Sequence, residues 1–150
     1  MTNSVYVSLN HDDPYQKAAL GLLIRNPKHP LDSHDRTLGA GGGKITSEPD
    51  DPHSKPLRDE IVKKLDAASR LVVLIGAYTY MDNWVRWEID TFFELKKKTF
   101  AGNTWRLIRG MRIESCPDAI APGALGDRST EVMAWDPKAL EKWLSEDVAV

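Results

Sequence analysis

The sequence predicts an α/β protein with a parallel sheet between two layers of helices. Three observations carry this. Leu71 to Gly76, LVVLIG, is continuously apolar and β-branched, as befits a central strand covered on both faces. Helical and strand-like stretches alternate along the chain, and short crossovers of that kind produce parallel sheets. The chain has 150 residues, one domain's worth, with 41% hydrophobic and 28% charged residues, enough to bury a core without staples.

The elements follow in order. Val5 to Leu9, VYVSL, is β-rich and runs into a polar cluster, Asn10-His11-Asp12-Asp13-Pro14, so it reads as a strand ending in a loop. Tyr15 to Ile24 reads as a helix with Ala18, Ala19, Leu22 and Leu23 near helical spacing, ended by Pro27 and Pro30. Residues 31–56 are rich in Gly, Pro, Asp and Ser, and read as one long mobile loop. Pro56 opens a helix whose stripe is Leu57, Ile61 and Leu65, continued by Ala68. After LVVLIG a third helix runs from about Asn83 to Lys98. Trp105 to Ile113 reads as a strand carrying Gly110 and three arginines. Asp118 to Ser129 is a Pro/Gly-rich loop. Glu131 to Trp135 is a short strand, and Pro137 to Glu146 a closing helix with Leu140, Trp143 and Leu144 on one face. In parallel sheets of this kind ligands bind beyond the carboxyl ends of the strands. The loops after VYVSL and LVVLIG lie at that edge.

Composition excludes several classes of function. The net charge is −2, from 20 basic and 22 acidic residues, which offers no general attraction for nucleic acid or an anionic membrane. No apolar run approaches the roughly 18 residues that span a bilayer. The first residues, MTNSVYVSLN, lack a secretory pattern, and the one cysteine, Cys116, permits no intrachain disulfide; both fit a cytoplasmic protein. The four histidines lie in loop stretches without metal-binding spacing, so no metal site is expected. Gly39 to Lys44 fails the phosphate-loop pattern, because Leu38 and Ile45 stand where Gly and Ser or Thr are required. The acids Asp12 and Asp13 suggest a phosphoacceptor receiver, but Gly76-Ala77-Tyr78-Thr79 holds no acceptor aspartate after the central strand.

The third helix holds the informative anomaly. At roughly 100° per residue, Trp84, Val85, Ile89, Phe92, Phe93 and Leu95 fill one half-circle. Glu88 lies within it, accompanied only by Lys96 among charged residues. A buried carboxylate costs several kcal/mol unless it is paired or used. Glu88 sits early in a helix that follows a strand end, near the ligand edge. Its burial is compatible with a structural ion pair or with a functional acid. Trp84, one turn earlier, is compatible with core packing or with a substrate contact.

Two segments resemble a known family. VYVSLNHDD resembles the opening strand and loop of TIR (Toll/interleukin-1 receptor) domains. LVVLIGAYTYMDNWVRWEID, with its Thr-Tyr turn and W-x-x-W-E opening a helix, is similar to the matching segment of bacterial TIR-like proteins of the Thoeris anti-phage defence type. The resemblance spans Val5 to about Leu144 as a single domain. It implies a flavodoxin-like sheet of about five parallel strands, although the second strand is hard to discern here. It further implies cleavage of NAD at the nicotinamide–ribose bond, with Glu88 as the catalytic carboxylate. Ser8, Asn10, Asp32 and Trp84 are then candidates for the substrate pocket. NAD is substrate, no cofactor being implied, and a cyclic ADP-ribose-type signal would pass to a separate effector protein. A phage-derived trigger and a homo-oligomer are further implied partners. Two alternatives stay open: a non-enzymatic TIR-like adaptor, and a protein that binds a small nucleotide without cleaving it.

Overall fold

The computed structural model describes residues 4–10, 12–24, 31–32, 47–126 and 130–146. Five strands form one parallel sheet: β1 (Val5–Ser8), β2 (Leu31–Asp32), β3 (Arg70–Ile75), β4 (Ile108–Arg112) and β5 (Val132–Met133), in the order β2-β1-β3-β4-β5. This is the flavodoxin-like order, whose direction of winding reverses between β1 and β3 and opens a crevice there. The helices are α1 (Pro14–Ile24), α2 (Lys55–Ala67), α3 (Asn83–Phe100), α4 (Gly123–Gly126) and α5 (Pro137–Ser145).

Two apolar layers enclose the sheet. On one face Tyr6, Leu71, Val73 and Ile75 meet Leu57, Ile61 and Leu65 of α2 and Val85, Ile89 and Phe92 of α3. On the other, Val5, Val7, Val72 and Leu74 meet Ala19 and Leu23 of α1 and Leu140, Trp143 and Leu144 of α5. Side chains alternate in direction along a strand, so β1 and β3 send consecutive residues to opposite layers. Every residue of both strands is buried, hence the unbroken apolar run of β3.

Several elements differ from the sequence reading. The loop expected over 31–56 contains β2 at its start. At its end stand a 3-10 turn, Pro52–Ser54, and the first residues of α2; residues 33–46 lie outside the described residues. On α1 the buried stripe is Gln16, Ala19 and Leu23, whereas Ala18 and Leu22 face solvent. The strand expected from Trp105 begins only at Ile108, because a 3-10 helix, Ala101–Leu107, continues α3 past Trp105. Gly110 sits in a tight place inside β4: a Cβ there would stand 3.0 Å from Leu125 Cδ1 and 3.1 Å from both Ile75 and Val132 side chains, which would have to shift by a few tenths of an ångström. Two arginines of that strand find partners at its borders. Arg109 pairs with Glu131 at 3.0 Å, and Arg112 Nε donates to the Ala119 carbonyl at 2.8 Å.

Two polar devices lock the frame. Arg70 opens β3 fully buried. Its guanidinium donates to the carbonyls of Trp143 and Glu146 at the end of α5 and lies 4.8 Å from the centre of the Trp143 ring. It adds donors to carbonyls at the helix end, where the Trp143 carbonyl also accepts from Glu146 N at 3.1 Å, and its charge suits that end of the helix dipole. At the carboxyl edge, Thr79 Oγ1 accepts from Gly76 N at 2.9 Å and from Gln16 Nε2 at 2.6 Å. Gln16 Oε1 accepts from Asn10 N at 2.8 Å. This chain of bonds joins the loop after β1 to the loop after β3. Gly76 leaves the room for it, since a Cβ would fall 2.5 Å from Gln16 Nε2. No described helix is long and apolar enough to cross a membrane.

Replacing Arg70 with Ala should lower the unfolding free energy by roughly 2–4 kcal/mol, through lost charge-assisted bonds to the α5 carbonyls and lost packing on Trp143. Urea unfolding reads this as a lower midpoint at an unchanged slope. Thr79→Val should cost about 1–3 kcal/mol, because two buried donors lose one acceptor. Thr79→Ser should retain most of that stability, and an equal loss in both variants would contradict the hydrogen-bond account.

Candidate functional site

The site is built from β1 and α3. Tyr6 and Ser8 are two residues apart on an extended strand, so both point to the α2–α3 face. α3 starts at Asn83, where the Asp82 side chain accepts from Trp84 N at 2.9 Å and Val85 N at 3.2 Å. That is an N-cap, and it fixes which side chains of the helix face the sheet. Val85, Ile89 and Phe92 occupy the buried stripe, and Glu88 falls between them at 1% exposure.

The Glu88 carboxylate meets two hydroxyls of β1. Tyr6 Oη donates to Oε2, and Ser8 Oγ donates to Oε1 at 3.0 Å. Hydroxyl donors replace part of the hydration that burial removes, which is how a carboxylate is held in an apolar layer. The other charge of that half-circle is handled differently. Lys96 runs over the Phe92 ring and donates to the Asp66 carbonyl at 3.0 Å; burial lowers the affinity of its amine for the proton, partly offset by Asp66.

The other candidates occupy different parts of the edge. Asn10 lies two residues beyond Ser8, with its Oδ1 accepting from Asp12 N at 3.0 Å. It lines a cavity of about 530 Å³ between the loops that follow β1, β3 and β4, together with Asp12, Tyr15, Tyr78 and Cys116. Asp32 pairs beside Tyr6 in the sheet, and its side chain lies outside the described residues. Trp84 is partly buried and meets Trp87 edge-to-face at 5.5 Å. Its Nε1 donates to the Ser47 carbonyl at 3.0 Å. Next to it Asn83 Nδ2 donates to Glu48 Oε2 at 3.0 Å, and Arg58 donates to the carbonyls of Pro49 and Asp51. Trp84 thus ties the segment from Ser47 onward to α3, one turn before Glu88.

Ser8 and Glu88 are therefore in contact. Asn10 stands at the neighbouring crevice, and Trp84 secures the outer flank of α3. Sequence reasoning passed over Tyr6, Gln16 and Thr79. A hydroxyl two positions before Ser8 on an otherwise apolar strand was the available signal for Tyr6. Gln16 carried none, and Thr79 stood out only as part of the Thr-Tyr turn, since their contact joins residues 63 apart in the chain. Among the described residues, no group of three or more His, Cys, Asp or Glu could hold a metal ion.

Comparison with known proteins places this geometry in a family. Solved structures with the same fold include a conserved protein from Enterococcus faecalis V583, at 10% identity and a TM-score of 0.60, covering 96% of this chain and 98% of that one. A pilus assembly-related protein of Burkholderia pseudomallei K96243, described as putative, matches at 14% identity and a TM-score of 0.50, covering 99% and 93%. The TIR domains of the activated Roq1 resistosome, which recognises the pathogen effector XopQ, match at 16% identity and a TM-score of 0.51, covering 86% and 69%. At these identities the likeness shows the fold. No curated protein matches the chain. The model of the family described as "Thoeris protein ThsB, TIR-like domain" matches residues 6–105, from the Tyr6 of β1 through the whole of α3, and the chain belongs to that family.

Proposed function

We propose that the chain is an NAD-cleaving enzyme of anti-phage defence, breaking the nicotinamide–ribose bond with Glu88 as its catalytic carboxylate. The observation that carries this reading is Glu88 itself: an acid buried in the apolar layer, next to the carboxyl end of β1, where ligands of such sheets bind. Membership of the Thoeris TIR-like family supports a defence role.

The chemistry suits a single carboxylate. Cleavage of the bond between the ribose C1′ and the pyridinium nitrogen passes through an oxocarbenium-like state, with positive charge growing on the sugar. O-glycosidases need an acid to protonate a poor leaving group. Nicotinamide leaves from a cationic ring as a neutral molecule, taking the bonding electron pair, so no acid is required. The carboxylate holds the ribose hydroxyls and stabilises the developing charge. A dry surrounding strengthens that attraction, and Val85, Ile89 and Phe92 provide one. If bulk water is kept out, an internal nucleophile on the adenosine side attacks C1′ as nicotinamide leaves and closes a cyclic ADP-ribose-type product; water attacking instead gives linear ADP-ribose. In the proposed pathway the cyclic product is the signal for a separate effector protein, and a phage-derived trigger starts its synthesis. Ser8 and Asn10 border the substrate, and Trp84 supports the flank of the site.

A non-enzymatic interaction module is the second reading. Tyr15 at the start of α1 and Tyr78, Tyr80 and Met81 after β3 are exposed, and exposed aromatic and methionine side chains of this kind often anchor protein partners.

Glu88→Gln separates the two. The amide oxygen still accepts from one of the two hydroxyls and the NH2 donates to the oxygen of the other, so the fold should persist with an unchanged circular dichroism spectrum. Nicotinamide release from NAD, followed by chromatography with and without extract from phage-infected cells, should fall by roughly 100- to 1,000-fold or more. Wild-type turnover in a folded Glu88→Gln protein would overturn the assignment. No release by the unmutated chain under either condition, with no NAD binding, would favour the interaction module.

A further inference from the structure

The two β1 hydroxyls on Glu88 are not equivalent, and the difference divides labour between the carboxylate oxygens. Tyr6 is wholly buried in the middle of the sheet. Its backbone is flanked on both sides, by Asp32 of β2 and Leu71 of β3. It belongs to the apolar layer of Leu57, Ile61, Val73 and Val85, where close packing restricts its ring. Ser8 closes β1 at the carboxyl edge. Two residues on, Asn10 already lines the open crevice. The line from Tyr6 through Ser8 to Asn10 runs from the core outward, and the Glu88 carboxylate lies along it with Oε2 on Tyr6 and Oε1 on Ser8.

Resting on the NAD-cleaving reading, we infer that Tyr6 is the positioning residue of Glu88: it pins Oε2, and Oε1, on the Ser8 side, is the oxygen that meets the ribose. A sugar hydroxyl arriving from the carboxyl edge competes with Ser8 for its place on Oε1. A serine hydroxyl exchanges partners by a single rotation, and the incoming hydroxyl supplies the donor that Ser8 withdraws. Tyr6 has no such exchange to make. Its bond persists while the sugar develops charge, and it keeps the carboxylate from swinging away within its side-chain freedom. Holding a reacting group in place in this manner acts on the rate of the bound complex more than on binding. Tyr6 itself touches no substrate.

The test compares Tyr6→Phe with Ser8→Ala in the full chain. Tyr6→Phe should lower kcat for nicotinamide release by roughly 10- to 100-fold, the range expected for one hydrogen bond to a charged group, with KM within about twofold. Ser8→Ala should keep kcat within about threefold and place its effect in KM. Equal kcat losses in the two variants, or wild-type kcat in Tyr6→Phe, would overturn the assignment.

A stability cycle keeps this independent of turnover. Tyr6→Phe should lower the melting temperature of the wild-type chain by several degrees. In a Glu88→Met background the loss should be clearly smaller, because the bond to Glu88 is already gone there. The same loss in both backgrounds would show that Tyr6 does not hold Glu88, whatever the chain does to NAD. Absence of nicotinamide release from the unmutated chain would overturn the NAD-cleaving reading instead, and the cycle would still decide the anchoring.

Discussion

A carboxylate placed inside an apolar layer must be held by donors from its surroundings, and the architecture of this domain answers that requirement at Glu88. Removing the group from water costs several kcal/mol unless hydrogen bonds replace the lost hydration. The replacements come from β1, whose alternation brings Tyr6 and Ser8 to the same face, and α3 must lie over that face for the contact to exist. The N-cap at Asp82 sets where α3 begins, and so which of its residues looks down on the sheet. Shifting that start by one residue would turn Glu88 by about 100° and bring a neighbour in its place.

The remaining polar contacts secure this arrangement from outside. Gln16 and Thr79 bind the loop after β1 to the loop after β3, so the two ends that border the crevice are linked across it. Trp84 and Asn83 fasten the segment beginning at Ser47 to the first turn of α3. On the opposite face Arg70 ties the central strand to the end of α5. Apart from the bond between Asn10 and Gln16, each is a hydrogen bond between residues at least 35 apart in sequence. Together they make the carboxyl edge a rigid frame around one acid, which is what chemistry at a fixed geometry requires.

Much of this was legible in the sequence where a period is long enough to read. The unbroken LVVLIG marked the central strand because both faces of a parallel sheet are covered. The half-circle of α3 picked out Glu88 because a charged residue interrupts an 18-residue helix with a clear apolar side. β2 was hidden because two residues carry no period. Leu22 looked like core on α1, yet Gln16 takes a buried place there, since the loop bonds it makes exist only in the folded chain. Trp105 looked like strand because aromatic and apolar residues follow it, and the 3-10 extension of α3 is set by packing rather than by propensity. Tyr6 and Glu88 stand 82 residues apart, so their bond could not be read from spacing, although each anomaly was visible by itself.

On the proposed reading, Glu88 is kept for chemistry and not for stability. This is tested most directly by the unfolding free energy of a chain in which the three hydrogen-bonded side chains are replaced, Tyr6→Phe, Ser8→Ala and Glu88→Met together. A buried polar cluster exchanged as a unit for apolar side chains of similar shape is often neutral or stabilising. The variant should be at least as stable as the wild type in urea unfolding and devoid of nicotinamide release. A loss of several kcal/mol would contradict it, because the Glu88 cluster would then be part of what holds the fold together.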